Sequence, residues 1–522
     1  MFFPKLTAPP QQRVTADRFL GLDRRAGSAM GGMQDMENLW AGGYPALETR
    51  PARGIVAAVK APGGLVCRDA PVWVDGTALY VNGVRTGLTL TEGDKQLVSM
   101  GAYLLIWPDK KFINTQELTE FGGLENCTVT TGEVTISLCR SSGEALGSYS
   151  IGEEVPASPG TGSLWMDTAD GEPVLKRYDG TSWLEVEDVC TRAASAGIGR
   201  GFRAGDGVTV EGCETEGVDG LHVLQAADDD WIVLPVMCRT VGSQTAAVTV
   251  KRAVPDMDFV VEQGNRLWGC KYGIVNGEAV NEIYASKLGD FRNWNSFAGL
   301  STDSYAASRG SDGVFTGAAA CMGGVIFFKE DCMERVYPSA AGAHQIVTVR
   351  CPGIRKGCGG SAALVDGTLF YVGVNGVYAF DGSMPSCVSQ PLGSVRYAGA
   401  AAAGWNGQYW LAARDEAGGR HVLVYDTAHG LWHRQDDADI MAFAVCGGAL
   451  YGLTRSGALL DLTGGSGEPE ETVRWMAETG ELGLSAPDSK YLTRLELRVQ
   501  PEDRARLEAS ASYDGGRSWE TL

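Results

Sequence analysis

Histidine is scarce, five in 522 residues, and none of the five stands in a motif that would put it to work. His429 and His433 are four apart, but the intervening Gly-Leu-Trp suits a strand or turn rather than a helix face offering two zinc ligands. The patterns G-x-S-x-G, H-E-x-x-H and G-x-x-x-x-G-K-S/T are missing, which removes common hydrolase, zinc-protease and phosphate-cradling signatures. No run approaches 18 apolar residues, and the opening Met-Phe-Phe-Pro-Lys has no basic region followed by an apolar core. Neither membrane insertion nor export by a standard signal is therefore expected. The 13 cysteines are odd in number, irregularly spaced and without a C-x-x-C pair, which argues against a zinc site or a disulfide scaffold. Flanks such as Leu-Trp-Gly-Cys270 and Phe-Ala-Val-Cys446 predict small buried hydrophobes in a chain that folds in a reducing compartment. Asp228-Asp-Asp230 could attract a cation but reads as a solvated hairpin tip before a Trp231 strand. No catalytic residue, metal ligand or cofactor is expected.

Basic stripes are missing too. With 44 basic against 64 acidic residues the net charge is −20, a field that disfavours adhesion to nucleic-acid backbones and anionic membranes. It would suit a wall past which DNA slides without sticking, and ordinary solubility is the simpler account of it.

Long amphipathic helices are absent, and what is present instead is a recurring β pattern: a short apolar run, a Gly-containing turn, a second apolar run. It occurs at Asn265–Cys270, Gly323–Phe328, Gly367–Val372, Asn406–Leu411 and Gly447–Leu453. With Leu267, Val325, Leu369, Tyr409 and Leu450 as equivalent points, the steps are 58, 44, 40 and 41 residues, close to one four-stranded propeller blade. The 71 glycines, about twice average usage, sit mostly between short hydrophobic runs where tight hairpins need positive φ. The expected fold is all-β: a propeller of six or seven blades with inserted small β modules and a C-terminal β-sandwich.

Composition divides the chain further. Residues 1–54, with Pro4, Pro9 and Pro10 and isolated apolar anchors, read as an extended arm lying along another surface. Residues 55–120 carry the first propeller strands, with Trp73–Val81 folded about an Asp-Gly turn. A different pattern at 121–195 reads as an inserted small β module, in which cross-strand Trp165, Tyr178 and Trp183 would pin short strands. A second inserted module spans 196–254, and the main blades 255–465. Residues 466–522 alternate with period two, as in Leu495-Glu-Leu497-Arg-Val499, and read as a sandwich two or three strands short, truncated or completed by a neighbour.

The order of several segments resembles the propeller-bearing tail proteins of tailed phages and prophages, among them the nozzle proteins of short-tailed phages. Those segments are Phe19-Leu-Gly-Leu, Asp35-Met-Glu-Asn38-Leu-Trp40 with Arg50-Pro, Val254–Phe259, Asn265–Cys270, Ile283–Trp294 and Val374–Gly382. The 121–195 module also resembles short modules of phage tail fibres. The resemblance implies a non-catalytic virion structural protein of a tail, nozzle or connector, made in the bacterial host cytoplasm. Its implied partners are copies of itself in a ring, with a hexamer as one candidate, and other tail or connector proteins. DNA would pass through the lumen without specific binding. The inserted module and short C-terminus depart from short-tailed nozzles and leave the type of tail open.

Asn38, Trp40 and Arg50 on the arm are candidates for intersubunit contact. Trp268 and Trp294 read as blade-core aromatics and Asp290 as a turn former. The alternative function is a receptor- or glycan-binding propeller whose platform is Trp165, Tyr178 and Trp183. A third, sialidase-like glycoside hydrolysis, is suggested by Ser512-Tyr-Asp514-Gly-Gly516-Arg-Ser518-Trp519, which matches the Asp-box of sialidase-like propellers. There the Asp closes a turn over the Trp, a structural role, and nothing marks the arginine cluster and tyrosine nucleophile that catalysis would need.

Overall fold

The computed structural model describes residues 13–169, 173–482, 493–500 and 505–522, and in them the fold is all-β apart from one short 3-10 turn at Gln390–Leu392. Seven sheets of four or five strands follow one another around a ring. Blade 1 begins at Pro62–Cys67 and ends at Val84–Thr89; blade 2 runs from Gln96–Met100 to Phe121–Gly123. Blades 3 to 6 open with Phe259–Glu262, Gly317–Cys321, Ala363–Val365 and Tyr397–Trp405. Blade 7 takes Ile440–Cys446, Ala449–Thr454 and Ala458–Asp461, and borrows Gly54–Ala58 from the N-terminal side of the chain as its next strand. A ring of sheets has no natural end, and pairing a strand from the N-terminal side with the last sheet ties the two ends of the ring together.

Local chemistry explains the hairpins. In blades 4 to 7 the first two strands are joined by two-residue turns with both φ positive: Met322-Gly323, Asp366-Gly367, Asn406-Gly407 and Gly447-Gly448. That is the geometry whose twist matches the flanking strands. Leu267, Val325, Leu369, Tyr409 and Leu450 all fall in the second strand of their sheet, so the repeat read from the sequence is the blade repeat.

Each junction between sheets has its own apolar filling, which is what closes the ring. Val72 and Leu79 meet Leu104 and Ile106 between blades 1 and 2. Leu105 and Trp107 meet Leu267 and Trp294 between 2 and 3, and Trp268 meets Phe327 between 3 and 4. Phe328 lies 5.1 Å from Tyr371, and Phe370 5.3 Å from Tyr409, joining blades 4, 5 and 6. Trp410 and Val422 meet Leu450 between 6 and 7, and Leu453 and Leu459 meet Leu65 and Trp73 between 7 and 1. Across that last junction Cys67 and Cys446 form a disulfide. The other 11 cysteines are free, most of them buried. Cys446 is therefore not the free buried thiol expected from its apolar flanks, because its hairpin end faces the start of blade 1.

Three expected boundaries are corrected. The described part of the arm, residues 13–54, lies along its own propeller: Phe19, Leu22, Met36 and Leu39 are buried against blades 5 and 6, whose rim supplies within one chain the surface that the apolar anchors require. The two inserted modules are one domain. Asn126–Val129 pairs with Thr249–Arg252, and Val134–Cys139 pairs with both Cys190–Ala194 and Gly242–Gln244, so its two sheets share one core around Ile136, Val208, Ile232 and Val250. The smaller sheet at residues 149–185 is an excursion from that domain. Among the described C-terminal residues there is no sandwich: Glu468–Pro469 adds to blade 7 beside Gly54–Ile55, Met476–Thr479 pairs with Met33–Glu37, and Ser510–Ala511 forms a hairpin with Glu520–Thr521. Residues 493–500, which hold the alternating Leu495, Leu497 and Val499, form no strand.

Candidate functional site

The arm residues come together, within one chain. Asn38 takes φ +54°, a left-handed conformation Asn tolerates, at a break between two short strands. This lets its side chain donate to the Arg474 carbonyl at 2.8 Å and accept from Arg50 Nε at 2.6 Å. Arg50 also bonds Glu470 at 2.7 Å and the Pro51 carbonyl at 2.9 Å, and Arg53 bonds Asp436 at 2.5 Å. Asn38 and Arg50 are only 5% and 7% exposed, so their polar groups are spent on joining arm, blade 6 and the segment after blade 7. Burial depresses the Arg53 guanidinium below its ordinary range despite the attraction of Asp436. Burial raises Glu470, but the bonds from Arg50 and the Arg53 N–H outweigh it and hold the carboxyl below the usual range. Trp40 is half-buried with its indole N–H unpartnered.

Beside this network lies a feature no sequence motif announces. His433 and Gln435 are fully buried, and both ring nitrogens of the one and both amide atoms of the other have no partner. Burial pushes the His433 imidazole down to about 4, with Asp426 pulling weakly the other way. His429 is apart from it, bonded to Asp426 at 2.7 Å and stacked on Tyr44.

The inserted domain is fastened to blade 3 through the segment Lys287–Ser296. Asn293 donates to the Gly205 carbonyl at 2.6 Å and accepts from the Gly207 N–H at 3.2 Å, while Lys287 also reaches the Gly205 carbonyl. A side chain at Gly207 would run into the Asn295 carbonyl, so glycine is required for this close approach. Arg203 bridges to Asp290, which also accepts from the Arg292 N–H in a turn. Behind it the buried pair Arg252 and Asp206 meets at 2.5 Å.

Of the proposed aromatic platform, Trp165 is buried, its indole N–H bonded to the Gly152 carbonyl at 3.0 Å. Tyr178 and Trp183 are partly exposed, with ring centroids 5.3 Å apart. Asp179 shapes the adjoining turn by accepting from the Thr181 and Ser182 N–H groups, which bring its pKa down to about 2. The Asp-box is formed: Asp514 accepts from the Ser518 hydroxyl and N–H, which lower it to about 2, and Ser512 accepts from the Gly516 N–H. Trp519 is half-exposed, with its ring beside Gly516 of the turn.

An open cleft of about 320 Å³ between blades 7 and 1 is lined by Pro62, Glu92, Met441 and Arg455, among others. One carboxylate and one guanidinium give it no acid–base pair. Among the described residues no three His, Cys, Asp or Glu side chains converge as a metal site. No helix among the described residues is long and apolar enough to cross a membrane.

No protein-family model matches the chain, and neither does any curated protein. Among solved structures it is similar to BamB from Moraxella catarrhalis at 11% identity and TM-score 0.22, over 55% of this chain and 87% of that one. It is similar to the phage phi92 endosialidase at 10% and 0.26, over 93% and 78% respectively. A third is PorZ, a bacterial surface component of the type-IX secretion system of Porphyromonas gingivalis, at 12% and 0.18 over 78% and 63%. Scores this low carry no functional argument, and the propeller assignment rests on the seven sheets themselves.

Proposed function

We propose that the protein is a non-catalytic structural component of a phage or prophage tail, nozzle or connector, built into the virion as a ring of copies around the DNA passage. The observation that carries this reading is where the motif residues go. Asn38 and Arg50 seat the arm, Asp290 and Asn293 fasten the inserted domain, and Trp268 and Trp294 fill blade junctions. The segments behind the resemblance are thus used in packing within the chain itself, which suits a wall. A net charge of −20 would let DNA pass without adhering. Mass photometry of the purified protein, with proteomics of purified particles, tests it: a ring-sized oligomer and presence in particles are expected. A stable monomer absent from particles would refute it.

A further inference from the structure

We propose that the outward face of the small sheet at residues 149–185 binds carbohydrate, with Trp183 stacking on a neutral or amino pyranose and Asp167, Lys176 and Glu185 engaging its polar groups. The strand register defines this face. Trp165 stands opposite Lys176, Lys176 opposite Glu185, and Tyr178 opposite Trp183. Directly opposed residues, and residues two apart, share a face. Trp165, Asp167, Lys176, Tyr178, Trp183 and Glu185 are therefore on one side. Met166 and Leu175 are on the other, buried at 0% and 1% in the core of the inserted domain. The aromatic side is consequently the one turned away from the body of the protein.

The face is held ready. Trp165 is fixed by its bond to Gly152 and lies 5.4 Å from Trp183, edge to face, so it buttresses that ring. The Asp179 turn pins the hairpin carrying Tyr178 and Trp183. Lys176 bonds Asp167 at 2.7 Å. A partly exposed indole offers a flat apolar surface to the C–H face of a sugar, while the carboxylates accept from hydroxyls and the ammonium donates. A rigid site loses little entropy on binding. With two carboxylates on the face and −20 on the chain, acidic sugars are disfavoured.

An array carrying neutral, amino and acidic oligosaccharides, probed with the full chain, tests this. Binding to a neutral or amino class is expected, weakened tenfold or more by Trp183→Ala with circular dichroism and thermal midpoint unchanged. Glu185→Arg, at an exposed position, gives the same loss if the face is the site and keeps the test open should Trp183→Ala fail to fold. No binding to any class, preference for acidic sugars, or unaltered binding by Trp183→Ala or Glu185→Arg would overturn the proposal. Ring assembly, read separately by mass photometry, is independent of all these outcomes.

Discussion

Replacing Arg50 by Ala should loosen the N-terminal segment from the propeller while leaving the ring of sheets intact. The guanidinium makes bonds to Asn38, Glu470 and Pro51 from a site that is 7% exposed. A hydrogen bond to a charged group contributes about 1.5–3 kcal/mol, and removing one member of a buried pair costs about 3–5 kcal/mol. Glu470 keeps a third of its side chain in water and can rehydrate, which places the expected loss near 3 kcal/mol. At 1.4 kcal/mol per tenfold, opening of the segment rises about a hundredfold, and so does its cleavage when opening is fast relative to proteolysis. Limited trypsin digestion at Arg18, Arg24 and Arg25, followed by intact mass, reads this directly. Arg50→Lys should not rescue it, since an ammonium cannot span both partners as the fork does. Cleavage at the wild-type rate would refute the argument. Acceleration that vanishes at high protein concentration would place the partners of Arg50 on a second subunit.

Arg252→Met strands the buried Asp206 carboxylate and should lower stability by about 3–5 kcal/mol, with most of it regained in the Arg252→Met, Asp206→Asn double variant; chemical denaturation of the three proteins checks it. His433 is held neutral with a folded pKa of about 4 against an ordinary 6.5. As pH falls through that window the unfolded chain takes up a proton that the fold refuses. Stability should therefore decline by up to about 3 kcal/mol, and His433→Phe should flatten the thermal midpoint's dependence between pH 6.5 and 4. Peptide mapping without reductant should recover Cys67 linked to Cys446, and Cys446→Ser should cost about 2–4 kcal/mol in thermal or denaturant unfolding.

The blades were legible because their information is local. Asp366-Gly367 and Asn406-Gly407 announce hairpins, and alternating apolar runs between such turns leave little choice but sheets about 40 residues apart. What the sequence hid depends on distance along the chain. Asn126–Val129 pairs with Thr249–Arg252 across the whole insertion, so a reading by segments splits one domain in two. The arm looked unpartnered because Arg50 meets Glu470 across 420 residues, a separation that no window of composition spans. Cys67 and Cys446 are 379 residues apart and are joined only because the first and last blades meet. At the aromatic module, reading short paired strands pinned by cross-strand aromatics places Trp165, Tyr178 and Trp183 together, and their rings do meet. It could not show that Trp165 is buried with its indole N–H on the Gly152 carbonyl, which leaves Tyr178 and Trp183 as the partly exposed rings.

A cryo-electron microscopy map of the purified, assembled protein tests the central claim most directly. The account predicts copies related by rotation about an open axis, each with seven sheets closed by the strand Gly54–Ala58 on blade 7 and an inserted domain fixed to blade 3. Separate monomers, or an open array of sheets between residues 259 and 461, would contradict it.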